Sequence, residues 1–259
     1  MKTVVLIKQV PDTNDERKLG SDGRLNRGGS DAIIDEINER AVEIALQLQE
    51  SAGGEVTVVS MGPKGAVDSL RHALAMGADK AVHILDDGLA GSDAIQTSAA
   101  LAAALRTLEF DLIITGNEST DGRTAAVPAM LSERLAIPLL TSLASASVEA
   151  GAVTGSRSLE DGTMDVRAQL PAIVSVTEKI ADPRFPKLKG VLFARRKPLT
   201  TLSVTDLGLP DSETGGDNSW TQVRDVVRQP ARTRGKVITD DGTAGAQLAD
   251  FLAAANLIK

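Results

Sequence analysis

Apolar positions in the first half of the chain alternate between two periods. Short β-branched runs at Thr3–Lys8, Glu55–Met61, Lys80–Leu85 and Asp111–Gly116 predict strands. Between them, Ile37, Ala41, Ile44, Ala45 and Leu48 recur at i, i+4, i+7, i+8 and i+11, one face of a helix. Ala66, Leu70, Ala73 and Leu74 form a second stripe, with Pro63 near its first turn and Gly77 at its end. Ile95, Ala99, Ala102 and Leu105 form a third, with Ser92 or Asp93 as N-cap. A fourth helix is expected to begin after Asp121 and run towards Leu135. Strand alternating with helix implies a parallel sheet covered on both faces.

The pattern changes after Pro138. Pro138–Val148, Ala152–Ser158, Met164–Leu170 and Ala172–Val176 read as strands, separated by Glu149-Ala150-Gly151 and Glu160-Asp161-Gly162. The Asp-Gly pair signals a hairpin, so an antiparallel addition to the parallel sheet is expected. Ile180–Lys197 is irregular and basic. Residues 208–243 are rich in Gly, Asp, Ser, Thr and Arg with little periodicity, as in a functional arm. A short helix over Ala244–Ala255 closes the chain.

Composition narrows the chemistry. The 259 residues carry a formal charge of −7, which argues against a dedicated nucleic-acid binder. There is no cysteine, so disulfides, Fe–S clusters, Cys-ligated zinc and thiol nucleophiles are excluded together. The two histidines, His72 and His83, lie at no metal-ligand spacing, and no metal site is expected. His83 in an apolar strand reads as a satisfied structural histidine, His72 as a solvent-facing one. The aromatics are Phe110, Phe185, Phe193, Trp220 and Phe251, too few for base-stacking platforms. No apolar stretch approaches the ~18 residues of a membrane span, no signal peptide is visible, and a cytoplasmic protein is expected.

Two stretches remain informative. Gly116-Asn117-Glu118-Ser119-Thr120-Asp121-Gly122-Arg123-Thr124-Ala125-Ala126-Val127 follows a predicted parallel strand and opens a helix. Ligands of open α/β sheets bind outside the carboxyl ends of the strands, and a helix N-terminus there suits a phosphate. The same residues also suit a loop that merely caps a helix. The turn Ser60-Met61-Gly62-Pro63 could form another wall. The second stretch, Ala181-Asp182-Pro183-Arg184-Phe185-Pro186-Lys187-Leu188-Lys189-Gly190, sets an apolar tip among lysines within an otherwise acidic chain. It reads either as a solvated loop or as a docking element for an acidic partner. A stand-alone nucleotide-binding regulator and a nucleotide-dependent ligase or pyrophosphatase are the other classes open to this pattern. The second lacks a Gly-rich pyrophosphate loop after the first strand.

Several matches in order resemble the β subunit of electron transfer flavoproteins. They are Val4-Val5-Leu6-Ile7-Lys8-Gln9-Val10-Pro11-Asp12, Asp35-Glu36-Ile37-Asn38-Glu39-Arg40-Ala41-Val42-Glu43 and Ala73-Leu74-Ala75-Met76-Gly77-Ala78-Asp79-Lys80-Ala81. Further matches are Asp161-Gly162 through Leu170-Pro171-Ala172-Ile173-Val174-Ser175, Asp182-Pro183-Arg184-Phe185 and Arg195-Arg196-Lys197; after Asp211 the match is poor. The implied fold class is α/β: a mostly parallel sheet with helices on both faces (adenine-nucleotide α-hydrolase-like, Rossmann-type), an antiparallel hairpin addition and an extended C-terminal arm. Residues 1–207 would form the nucleotide-binding domain, including a recognition loop at 180–197. Residues 208–259 would be the arm and short helix that contact the α subunit.

The resemblance implies an electron carrier with no catalytic residues of its own. It implies an αβ heterodimer with one FAD shared with the α subunit and AMP held structurally by β. Acyl-CoA dehydrogenases would be donors and a membrane-linked quinone oxidoreductase the acceptor, with the chain itself not membrane-inserted. Carried over by position, Leu6, Asp35, Glu36, Ile37, Asn38, Met61 and the loop from Gly116 to Val127 would surround the AMP. Leu188 would be the docking anchor, with Arg184, Lys187 and Lys189 around it. Three departures from the family pattern stand out. Asp35-Glu36 replace Asn-Pro, Ala126 replaces a common Gln, and Met164 replaces a Glu or Gln thought to lie near the flavin. The stretch Asp121–Val127 also partly resembles the Asp-Gly-Asp-Thr-Ala-Gln-Val of electron-bifurcating members, which hold a second FAD in place of AMP. Arg123 and Ala126 break that pattern, so AMP is the first expectation.

Overall fold

A computed structural model describes residues 1–227 and 229–258. Along the chain the elements are β1 (Lys2–Leu6), β2 (Gln9–Pro11), β3 (Ala32–Ile34), α1 (Glu36–Ala52), β4 (Glu55–Met61), α2 (Val67–Met76), β5 (Lys80–Ile84), α3 (Ala94–Arg106) and β6 (Leu112–Gly116). They continue with α4 (Val127–Leu135), β7 (Leu139–Leu143), β8 (Ser145–Glu149), β9 (Ala152–Leu159), β10 (Gly162–Gln169), β11 (Ala172–Val176), α5 (Leu188–Ala194), β12 (Leu199–Leu202) and α6 (Ala244–Ala254). Seven strands form one parallel sheet in the order β12-β5-β4-β1-β6-β11-β7.

Successive residues of a strand point to opposite faces, and the core divides accordingly. Val5, Val58, Ile114 and Val174 pack with Ala41, Val42 and Ala45 of α1 and Leu70 and Leu74 of α2. Val4, Val59, Ile113 and Ile173 pack with Leu101 and Leu105 of α3 and Leu131 of α4. The expected α/β sheet with helices on both faces is therefore present. Local chemistry agrees with it. Asp93 rather than Ser92 caps α3, in a reciprocal capping box with Gln96. Gly77 ends α2 at a φ of 151°.

Several boundaries differ from expectation. The fourth helix begins at Val127, because residues 117–126 form an open loop with Arg123 and Ala125 in left-handed conformations (φ 50° and 52°). Pro138–Val148 is two strands. Ser142 turns left-handed (φ 56°), its N–H donating to Ser175 Oγ at 2.9 Å, and the chain leaves the central sheet after Leu143. Only β8, β9 and β10 form the antiparallel addition; β7 and β11 belong to the parallel sheet. β11 is apolar except for Ser175 and buried at every position, as expected of a strand covered on both faces. Leu159 pairs with Gly162, so the turn there is Glu160-Asp161 and Gly162 already belongs to β10. Ile180–Lys197 is not wholly irregular, because α5 lies within it. Strands β2, β3 and β12 were not legible, being three or four residues long.

The chain divides into two compact units, Met1–Val223 and Arg224–Lys259. Within the first, residues 214–221 return to the β5–α3 loop: Gly216 N–H donates to Ala90 O at 2.9 Å and Gly215 N–H to Ser92 Oγ at 3.1 Å. The second holds α6, on which Leu248 and Phe251 are exposed. No helix among the described residues is long and apolar enough to cross a membrane.

Candidate functional site

The chain runs from β1 through α1 to β4 on one side, while β6 flanks β1 on the other. The carboxyl ends of β1, β4, β5 and β6 therefore meet at a topological switch point, where open α/β sheets form a crevice. A cleft of about 580 Å³ occupies it, within the range of small-molecule sites. Of the expected residues, Leu6, Asn38, Met61, Gly116, Asn117, Glu118, Ser119, Gly122, Thr124, Ala125 and Val127 line this cleft. Gly116 is needed for close packing: a Cβ there would lie 2.7 Å from Asn38 Nδ2.

The other expected residues lie behind the wall or away from it. Asp35 is fully buried, caps α1 through Ile37 N–H and accepts two hydrogen bonds from Thr120. Glu36 accepts from Thr13 Oγ1 at 2.5 Å, and Ile37 is part of the buried core. Arg123 points to solvent, and Ala126 precedes α4, its carbonyl accepting Met130 N–H.

Asp121 is the electrostatic centre of the loop. Its side chain is 1% exposed, with Lys8 Nζ 2.6 Å from Oδ1 and Arg27 Nη2 2.9 Å from Oδ2. Burial alone would raise the carboxyl; the charge of Lys8, with hydrogen bonds from Lys8, Arg27 and Ser119, outweighs it and holds the pKa down at about 2. Lys8 and Arg27 also line the cleft. The opposite wall, from Asp86 to Thr97, was missed from sequence. Its signal was a second polar, Gly-bearing segment (Asp86-Asp87-Gly88 to Gly91-Ser92-Asp93) between a parallel strand and a capped helix.

The basic stretch forms a second surface. Leu188 is 78% exposed and Phe185 94%, with Leu192 also exposed. Arg184 does not project with them. Its guanidinium grips Glu43 (2.7 and 3.0 Å) and Glu50 (2.5 and 3.2 Å), both on α1. Burial opposes ionisation of Glu43, and hydrogen bonds from Arg184 and Gln47 overcome it, leaving its pKa lowered. Arg184 thus anchors the root of the loop. Helix α5 is seated on α2: a Cβ on Gly190 would meet Ala75 O at 2.3 Å. Lys197 Nζ donates to Leu74 O, Gly77 O and Ala78 O at 3.0, 3.1 and 2.6 Å, closing the carbonyl end of α2.

A family model described as the electron transfer flavoprotein domain matches residues 22–207. The electron transfer flavoprotein subunit beta of Mycobacterium tuberculosis is 49% identical over 262 residues, 98% of each chain. That of Mycobacterium leprae is 50% identical over the same share. A protein named caffeyl-CoA reductase-Etf complex subunit CarD, from Acetobacterium woodii, is 35% identical over 92% of each chain. The chain belongs to the electron transfer flavoprotein β-subunit family. Electron carriage is the property of that family, and its β subunits are one half of a two-subunit protein. The mycobacterial matches cover 98% of the chain and so include residues after Asp211.

Met164 lies on β10 with its sulfur 3.2 Å from Arg157 Nη2. His83 is buried, its Nε2 3.1 Å from Gly62 O, as expected of a structural histidine. His72 is half-exposed, with Nε2 2.6 Å from Glu39 Oε1.

Proposed function

We propose that this chain is the β partner of a cytoplasmic, heterodimeric electron transfer flavoprotein that takes electrons from acyl-CoA dehydrogenases and related enzymes and passes them to a membrane-linked quinone oxidoreductase. The observation that carries the reading is the presence, on one chain of this family, of a cleft with Lys8 and Arg27 at one end and of a separate apolar patch among lysines. AMP is the proposed occupant of the cleft. The donor set suits it: Lys8 and Arg27 offer positive charge, and Ser119 and Thr124 hydroxyls line the wall. FAD would lie between this chain and the α subunit, and when bound it supplies the electron-carrying chemistry. Leu188 enters a pocket on the dehydrogenase, with Lys187 and Lys189 at the rim, an aliphatic anchor inside a charged border. Arg184 holds that loop to α1 rather than touching the partner. The arm beyond residue 208, with α6, packs on the α subunit.

Purification of the chain with its α subunit, followed by a visible spectrum and a count of released nucleotides, tests this. One FAD and one AMP per heterodimer is expected. Two FAD and no AMP would assign a second flavin to the cleft, an alternative favoured by Asp121-Gly122 and Thr124-Ala125, which match the bifurcating pattern. A colourless chain that joins no α subunit would overturn the reading.

A further inference from the structure

We infer that Arg27 is a specificity-determining residue of the cleft, pinned by Asp121 so that it reads the anionic group of the bound nucleotide; this rests on the nucleotide reading above. Arg27 comes from the excursion 12–31 between β2 and β3, which carries no strand–helix pattern and to which no role attaches from sequence. It lines the cleft, 94 residues away in sequence from the carboxylate that holds it. Its Nε and Nη2 lie 3.1 and 2.9 Å from Asp121 Oδ2, while Nη1 is engaged by no described residue. The side chain is 53% exposed.

Charge counting argues that Arg27 does more than neutralise Asp121. Lys8 already sits 2.6 Å from the other carboxylate oxygen. Glu118 on the same loop has Arg123 Nη1 3.9 Å away, so two carboxylates face three cations and a surplus positive charge remains at this end. The far wall carries Asp86, Asp87 and Asp93, so the cleft is polarised from end to end. A neutral nucleoside gains little from the surplus charge. A phosphate gains a guanidinium whose orientation is already fixed by its carboxylate partner, which suits oxyanion recognition.

The test uses the full chain with its partner subunit, freed of nucleotide and titrated with AMP and with adenosine. Wild type should prefer AMP. Arg27→Ala should weaken AMP binding about tenfold and leave adenosine unchanged, a loss on the scale of one charge-assisted hydrogen bond. Arg27→Gln, which keeps a planar hydrogen-bonding end without the charge, should behave like Arg27→Ala if charge is what is read, and it serves in its place if the alanine variant misfolds. An equal loss for AMP and adenosine, no loss for either, or a wild type without preference between them overturns the inference and leaves the nucleotide reading standing. A wild type that binds neither overturns the nucleotide reading, and the inference falls with it.

Discussion

Asp35 and Thr120 meet through two hydrogen bonds into one carboxylate oxygen: Thr120 N–H at 2.7 Å and Oγ1 at 2.8 Å from Oδ2. Asp93 and Thr221 repeat the arrangement on the opposite wall, with Thr221 N–H at 3.0 Å and Oγ1 at 3.3 Å from Oδ2. In each aspartate the remaining oxygen caps a helix, α1 through Ile37 N–H and α3 through Gln96 N–H. One residue type thus starts a helix and staples a distant segment beside the cleft.

Asp35→Ala should remove a cap and leave buried donors on the Thr120 loop unsatisfied. A loss of about 2–4 kcal/mol is expected in urea unfolding. Asp35→Asn, which keeps an acceptor oxygen, should lose less. Equal stability of the alanine variant and wild type would show that the staple contributes nothing.

Leu188→Ala should slow electron uptake from a partner dehydrogenase about tenfold or more while flavin content stays unchanged, as expected of a hot-spot truncation. Flavin loss in the purified variant would place Leu188 in the subunit interface instead. An unchanged rate would remove it as an anchor.

Gly190→Ala should displace α5, because its Cβ would lie 2.3 Å from Ala75 O. The expected result is impaired partner docking with the cleft unaffected, so nucleotide titration should match wild type. Retention of full docking would mean that α5 can shift without consequence.

Asp121 makes stability fall in acid. Its pKa is lowered from 3.8 to about 2, so its contribution is complete above pH 3.8, declines as pH falls towards 2 and is absent below. The shift corresponds to at most about 2.5 kcal/mol. Denaturant unfolding of wild type and Asp121→Asn should differ above pH 4 and converge near pH 2. A constant difference across that range would contradict the assignment.

Much of the scaffold was legible because strands covered on both faces are rich in β-branched and aliphatic residues, as Glu55–Met61 and Leu112–Gly116 are. The cleft's Gly116–Val127 side was legible because a Gly-bearing polar loop between a parallel strand and a helix stands at the carboxyl end of the sheet, where open α/β folds bind ligands. What escaped depends on long-range pairing. Nothing local marks Arg27 as the partner of Asp121, or Arg184 as the partner of Glu43 and Glu50 rather than of an external protein. Likewise β12 becomes a strand only because β5 offers an open edge, and the division of Pro138–Val148 rests on Ser142 turning left-handed against Ser175.

The mounting of α5 sets the kinetics open to any partner that lands on it. With Lys197 plugging the carbonyl end of α2 and Gly190 letting the two helices touch, the Leu188 patch is shaped before contact. Little conformational freedom remains to be lost on association, so the complex does not need a large surface to form. Variation around this patch should then register mainly in how fast a partner leaves, the quantity that limits how often a shuttle can change partners.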